Sequence, residues 1–531
     1  MGIQATIQRK VSEFFQPFTT SDTPPDELVA PSPPARPSRR DILFGRGVPS
    51  ALLGAAMSIP AFAEKTVEDE ISDQYKSGDK SYDPLLRRLV DRCTYGASAD
   101  DLKLAKQMGY DEYLDYQLDY NQIDDGDLND RLSDFQSLNW SAKQLADAAN
   151  EGNYEVFYEA INSTIVRSAY SKRQLYERMV EFWRDHFNIY IEKDYMYYVL
   201  PTDTREVVRK HALGKFPDML WASAHSPAML IYLDNDPSSK EAPNQNYARE
   251  LMELHTLGVG NYTQKDVEEV ARCFTGYSFV WEYEAANWGT FKFYGWAHDR
   301  GKKKVLGREI PKKGGVEDAE IVLDILTADP NYAPITGQFI GRKLANWLWG
   351  YNPPQALVDS IADTYVSSGG DIKKMAKVAL SQEWLAQSLP KLKRPYHLVM
   401  STLRMVPSTI SDFWGIRYTL SLMGHEPYQW APPNGYPDTL DFWAGGLLPR
   451  WRYGSYIYSQ NYNPLFNLKA FEGDMDVKKF MNRLKTTFFG GKMTNSDKEI
   501  LEAYVSEDFD SEWRRRETLG LAVSSSNFQW Y

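Results

Sequence analysis

From Asp83 onward the apolar residues recur at helical spacing. Leu85, Leu86, Leu89 and Val90 share one face, and Gly96 ends the run. A second helix is predicted over 98–108, closed by Gly109, and the acidic, polar residues 121–135 predict a loop. One long helical stretch follows over 156–187, with Leu175, Met179, Phe182 and Trp183 among its apolar positions. Residues 204–213 read as another helix stopped by Gly214, and Pro227 opens a further turn after the 216–225 segment. The stretch 243–258 is predicted as a single polar helix. Thr263 and Asp266 cap the next one in a variant of the capping box, and Val267, Val270, Ala271 and Phe274 make its buried stripe.

Between Tyr277 and Leu306 the period changes to two. Residues 291–294 and 304–306 are predicted as short strands, with a basic turn at 302–304. Helices resume at 316–326, 335–349, 354–367, 371–380, 396–405 and 410–423, and again near the end. The expectation is a mainly α protein, one large multi-helix domain with a small β-hairpin insertion around 277–307. No internal repeat and no domain break stand out after Asp83.

The first 82 residues differ. Residues 1–37 are polar and Pro-rich and read as a disordered leader. At 38–63, Arg39 and Arg40 precede a short apolar run and Ala61-Phe-Ala63, the parts of an export signal. The arrangement resembles a bacterial twin-arginine signal, with Ile42 where Phe is more usual. It implies a periplasmic or extracellular protein, a linker at 64–82 and a helical domain over 83–525.

Composition narrows the classes. The 531 residues are 43% hydrophobic and 25% charged, ordinary for a globular protein with a substantial core. A net charge of −12 argues against a nucleic-acid footprint, and the lack of a long uncharged apolar run argues against an integral membrane protein. Only two cysteines occur, Cys93 and Cys273, either one long-range pair or two buried thiols. Phosphate loop, nucleophile elbow and His-Glu-x-x-His patterns are missing from the sequence.

Candidate chemistry gathers in Asn244-Gln-Asn-Tyr-Ala-Arg-Glu-Leu-Met-Glu-Leu-His-Thr-Leu-Gly258. At about 100° per residue, Asn246, Glu250, Glu253 and Leu257 share a face, and Arg249 can pair with Glu253. His255 points nearly opposite Glu253, so a site here needs residues from elsewhere. His186 lies among aromatics, Asp234 and Asn235 follow an apolar run, and His298 and Asp299 sit beside the expected hairpin. With seven histidines in the chain, three in polar or acidic clusters suggest a metal or acid–base centre.

These segments resemble the domain of unknown function 1800 (DUF 1800) family of exported-looking bacterial proteins. The resemblance is carried by Leu89-Val-Asp-Arg-Cys-Thr-Tyr-Gly96, Phe182-Trp-Arg-Asp-His-Phe187, His211-Ala-Leu-Gly214 and Ser226-Pro-Ala-Met-Leu-Ile-Tyr-Leu-Asp-Asn235. It continues through the 244–258 stretch, Tyr262-Thr-Gln-Lys-Asp-Val267, Thr275-Gly276, His298-Asp299, Phe339-Ile-Gly-Arg-Lys-Leu344, Pro432-Pro-Asn-Gly435 and Asp441-Phe-Trp443. It implies a largely helical protein, and a co-exported sulfatase-like protein as a partner. The family's polar signature falls on His186, His211, Asp234, Asn235, Asn246, Arg249, Glu250, Glu253, His255, His298 and Asp299. Ala333 stands where members often carry histidine.

Two functions compete. One is a periplasmic enzyme acting on a polymer or its fragments. In it His186, His255 and His298 hold a divalent metal ion or carry protons, Glu250 or Asp299 is the base, and Arg249 binds an oxyanion. Asn246, Asp234 and Asn235 complete its substrate set. The other is a non-catalytic cell-envelope assembly or glycan-binding protein, whose polar residues form a structural core. Its docking face for polysaccharide would be the aromatic segment 430–458, with Trp443, Trp451 and Tyr453. A calcium-stabilised scaffold on Asp234, Glu250, Glu253 and Asp299 is a third reading.

Overall fold

The computed structural model describes residues 83–406, 408–458, 471, 473 and 475–531. The leader, the twin-arginine pattern and the linker lie outside the described residues. The protein is mainly helical, as its periodicity predicts, and the strands form two small antiparallel hairpins. Strand β1 (Tyr277–Phe279) pairs with β2 (Phe291–Phe293), and β3 (Lys303–Val305) pairs with β4 (Arg308–Ile310). The basic residues expected as a turn therefore lie largely in β3. The turn itself is Leu306-Gly307, both at positive φ, the geometry that matches the twist of a tight hairpin.

Three boundaries differ from the pattern for tertiary reasons. The 156–187 stretch is two helices, Val156–Tyr170 and Gln174–His186. Between them the Ser171 hydroxyl and the Lys172 amide both donate to the buried Asp125 carboxylate, at 2.6 and 2.8 Å, which diverts the backbone. Within the expected loop, Gly126–Leu132 is helical because Leu128 and Leu132 find a cluster with Val166. The polar helix stops at Glu253, and the next five residues turn inward to Gly258.

The core has two parts. The larger gathers apolar side chains mostly between Leu86 and Leu385, and the second joins Tyr95, Ile165 and Ala169 to residues from Tyr396 onward. Between them runs the helix Gln174–His186, with every residue buried. Leu175, Met179, Phe182 and Trp183 enter the larger core. Its charged residues form a seam with the chain around Pro395–Met405. Asp185 accepts from Arg394 at 2.5 Å, Glu181 accepts from the Tyr95 hydroxyl at 2.8 Å, and Glu177 takes both arms of Arg209. Arg178 donates to His397 Nδ1 at 2.9 Å and to the Tyr531 hydroxyl at 3.0 Å. Burial pushes the Asp185 carboxyl up, against the pull of Arg394 and Arg184.

The last residues close this arrangement. Lys391 and Tyr531 exchange backbone hydrogen bonds at 2.9 and 3.0 Å, and Arg92 of the first described helix donates to the Tyr531 carbonyl at 2.8 Å. Cys93 and Cys273 are two separate, buried free thiols. Trp443, Trp451 and Tyr453, expected on a docking face, are buried and belong to the core.

A buried carboxylate stripped of its cation is far costlier than an absent pair. Arg394→Ala should therefore cost about 3–5 kcal/mol in denaturant unfolding. A loss below about 1 kcal/mol, the scale of an exposed pair, would show that Asp185 and Glu181 do not depend on it.

Candidate functional site

The signature helix Gln245–Glu253 starts at Asn244, whose Oδ1 accepts the Tyr247 amide at 2.9 Å. Tyr247, Ala248, Leu251 and Met252 are buried, which leaves Asn246, Arg249, Glu250 and Glu253 on the outer side. The expected Arg249–Glu253 pair is replaced by other partners. Arg249 donates to Gln264 Oε1 at 2.9 Å, and Glu253 accepts from the Tyr262 hydroxyl. Asn246 donates to the Leu233 carbonyl at 3.3 Å. Burial, helped by Glu253, raises the Glu250 carboxyl.

Past the helix end, the His255 amide bonds back to the Glu250 carbonyl, and the ring turns inward. There it meets His186, ring centres 6.0 Å apart, and Phe187 at 5.0 Å. His186 is boxed by Phe182, Trp183, Phe187, Phe216 and Phe339. Its Nδ1 lies 2.9 Å from the Lys343 amine and its Nε2 3.2 Å from the His255 carbonyl. An ammonium only donates, so Nδ1 accepts and Nε2 carries the proton given to the carbonyl. Burial, then Lys343 and His255, push His186 well below the usual histidine range, and burial with Lys343 brings His255 to about 3. Both rings are neutral at neutral pH.

Lys343 was not among the candidates read from the sequence. It belongs to the helix Ala333–Leu348, and its segment meets the signature stretch directly. A Cβ on Gly258 would come within 3.0 Å of the Phe339 ring. The loop before Asp438 approaches from the other side, held by Asn188 on the Trp430 and Pro432 carbonyls and by the Tyr232 hydroxyl on Ala431. Gly435, at φ +72°, lies so close that a Cβ would meet the Asp185 carbonyl at 1.8 Å. Ala333 sits buried at the start of its helix.

The other candidates lie in different surroundings. His298 is buried beside β3, with Nδ1 2.8 Å from the Thr275 carbonyl and Nε2 3.1 Å from Asp318, which also takes Lys303 at 2.7 Å. Asp299 binds Arg272 at 2.7 Å and the Gly301 amide, which holds its carboxyl below the usual range despite burial. Asn235 donates to the Phe274 and Tyr277 carbonyls, and Asp234 pairs with Lys193 at 2.5 Å. His211 is half-buried in the turn before Gly214. The structure thus brings His186 and His255 together and places His298 in a separate hydrogen-bond set.

That arrangement does not fit the expected three-histidine metal centre. Both His186 nitrogens already have partners, one of them a cation, and His298 faces its own acid. Among the described residues, the group of three that brings ligand atoms within 4.8 Å is Glu181, Asp185 and His425. Arg394 fills it, 2.5 Å from Asp185 and 2.6 Å from His425 Nε2. The four acids weighed for calcium form no such group. His397 and His425 are not among the candidates that the sequence offers. Both are buried, and both answer arginines of the seam.

Three of the segments quoted above for their resemblance, 182–187, 244–258 and 339–344, meet at His186, and a family model described as "Protein of unknown function (DUF1800)" matches residues 88–530. The chain belongs to that family. No curated protein and no solved structure matches the chain. No helix among the described residues of this DUF1800 protein is long and apolar enough to cross a membrane.

The neutral rings set a pH dependence. Unfolded histidine binds a proton below about pH 6.5, while folded His255 binds one only near 3, so folding stability drops as pH falls through that window. Its contribution is about 1.4 kcal/mol per pH unit. In thermal melts between pH 6.5 and 4, His255→Phe should lose stability less steeply than the native protein. Equal slopes would mean that the ring is solvated.

Proposed function

We propose that this DUF1800 protein is exported and binds glycans at the cell envelope, its signature residues serving the core rather than a reacting centre. The observation that carries the reading is a set of aromatics around the β1–β2 hairpin, three exposed tryptophans joined through half-buried rings and the buried Phe279. Trp221, 48% exposed, stacks on His225 with ring centres 3.9 Å apart, and His225 meets Phe291 of β2 at 4.6 Å. Phe291 pairs in register with Phe279, against which Trp281, 44% exposed, lies at 4.0 Å. Tyr294, whose hydroxyl donates to the Phe279 carbonyl at 3.2 Å, then leads to Trp296, 75% exposed and 6.1 Å away. Scattered surface aromatics need no explanation, but a connected set is an amphipathic platform of the kind sugar faces stack on.

The placement of the polar residues supports the same reading. His186, His298, Asn235, Asn246 and Asp299 are spent on backbone groups or internal ion pairs, as a buried network requires. Export is supported by the arginine pair, apolar run and small-x-small site at 38–63.

Two measurements test the two halves. Sedimentation with insoluble polysaccharides should carry down the native protein, while a Trp221→Ala, Trp281→Ala, Trp296→Ala variant stays in solution with an unchanged melting temperature. A native protein that sediments with none of them refutes glycan binding. Replacing Arg39 and Arg40 together by lysine should hold the protein in the cytoplasm, and unaltered export would remove the signal from the account.

A further inference from the structure

The basic residues of the second hairpin take no part in that reading. Residues 300–313 hold Arg300, Lys302, Lys303, Lys304, Arg308, Lys312 and Lys313 against the single acid Glu309, in a chain of net charge −12. Three of these cations have partners. Lys303 is buried on Asp318, Arg308 meets Asp329, and Lys302 meets Glu309. Arg300, Lys304, Lys312 and Lys313 are exposed and make no ion pair among the described residues. Cations also border the tryptophan at the neighbouring turn. A Cβ on Gly295, between Tyr294 and Trp296, would come within 3.5 Å of the Arg300 guanidinium. The Arg300 carbonyl accepts the Lys313 amide at 2.8 Å, which brings Lys312 and Lys313 alongside. Lys292 Nζ stands 4.6 Å from the Tyr294 ring centre, and the Lys240 amine donates to the Trp296 carbonyl at 3.1 Å. Between the hairpin and the helix Gln264–Cys273 is an open cavity of about 580 Å³, with Lys265, Arg272, Lys302 and Lys304 in its lining. The acids there are engaged by the fold. Glu269 takes Arg272 and the Lys304 amide, and Asp266 takes the Thr263 and Leu306 amides.

We propose that the glycan taken by this face is acidic, a linear polysaccharide with one carboxylate per sugar. The proposal rests on the glycan-binding reading and names its substrate class. A sugar stacked on Trp296 has Arg300 at the adjoining turn, and a chain extended from there meets Lys312 and Lys313. Exposed cations without carboxylates of their own raise the local concentration of an anion that supplies them. The net charge of −12 repels polyanions at long range, but at physiological ionic strength that repulsion fades over about 8 Å, so the nearby cations decide. A sparse carboxylate suits the face better than dense sulfation. Glu241, Glu282 and Glu309 are interleaved with Lys240, Lys292 and Lys302 and would repel closely spaced anions. Stacking on tryptophan also demands an uncovered C–H face, which a single carboxylate at the ring edge leaves free.

The probes are immobilised polygalacturonate, the same polymer with its carboxyls reduced to alcohols, and dextran sulfate, each exposed to the full chain. Native protein should bind polygalacturonate about tenfold more tightly than the reduced polymer, as several exposed charge pairs together would give. Replacing Arg300, Lys304, Lys312 and Lys313 together by glutamine should remove that preference without lowering the melting temperature. Equal affinity for the two polymers, or a preference that survives the four replacements, overturns the proposal and leaves the glycan reading standing. Tighter binding of dextran sulfate overturns the choice of carboxylate. Undiminished binding by the three-tryptophan variant would be adsorption by charge alone and overturns it as well. Binding of neither form of the polymer also defeats it, whereas the glycan reading falls only if the insoluble polysaccharides also leave the protein in solution.

Discussion

The structure depends on a helix that hides its charges. Gln174–His186 sits between two apolar clusters, and its position is fixed by what its carboxylates and guanidiniums demand. In that interior each charge requires an opposite charge or a hydrogen-bonding group within reach. Arg394, Tyr95, Arg209, His397 and Tyr531 supply those partners from distant parts of the chain. Apolar packing alone would allow the two clusters to slide against one another. The seam specifies one register for them, and His186, at its end, inherits the precision.

This explains why the candidate site was half legible. Repetition of rare polar residues identified the stretch around Glu250 and His255, and helical geometry indicated that it needed a partner such as His186. Contact between His186 and His255 agrees with that reasoning. His298 is placed elsewhere because the helix after the hairpins, Glu317–Ala328, supplies its own acid, Asp318, which no spacing in the sequence links to it. Lys343 and Arg394 went unnoticed for a related reason. Each lies on an otherwise ordinary helix or helix start, and a charge at such a position reads as solvated until the fold buries it.

The fold was more legible than the site. Periodicity places most helices because their buried stripes are local properties, as at Gln264–Cys273, whose capping box and apolar face both match the pattern. Errors fall where a distant residue decides the backbone. Asp125 breaks the chain at Ser171, and Val166 recruits Leu128 and Leu132 into a helix inside an acidic stretch. The aromatic segment 430–458 misled in a similar way. Richness in tryptophan marks a large contact area, and only the fold decides whether the contact is internal, as at Trp443 and Trp451.

The bridge between Lys391 and Tyr531 bears on how such a protein comes into being. Arg92, in the first described helix, reaches its acceptor on a residue 439 positions later. Contacts of that span close late and slow the search for the native state. Until residue 531 is made, Arg92 and Arg178 each lack a partner that the finished core gives them. The contacts of Tyr531 with Arg92 and Arg178 therefore tie distant parts of the chain into one core, and such long-range contacts are among the slowest to form.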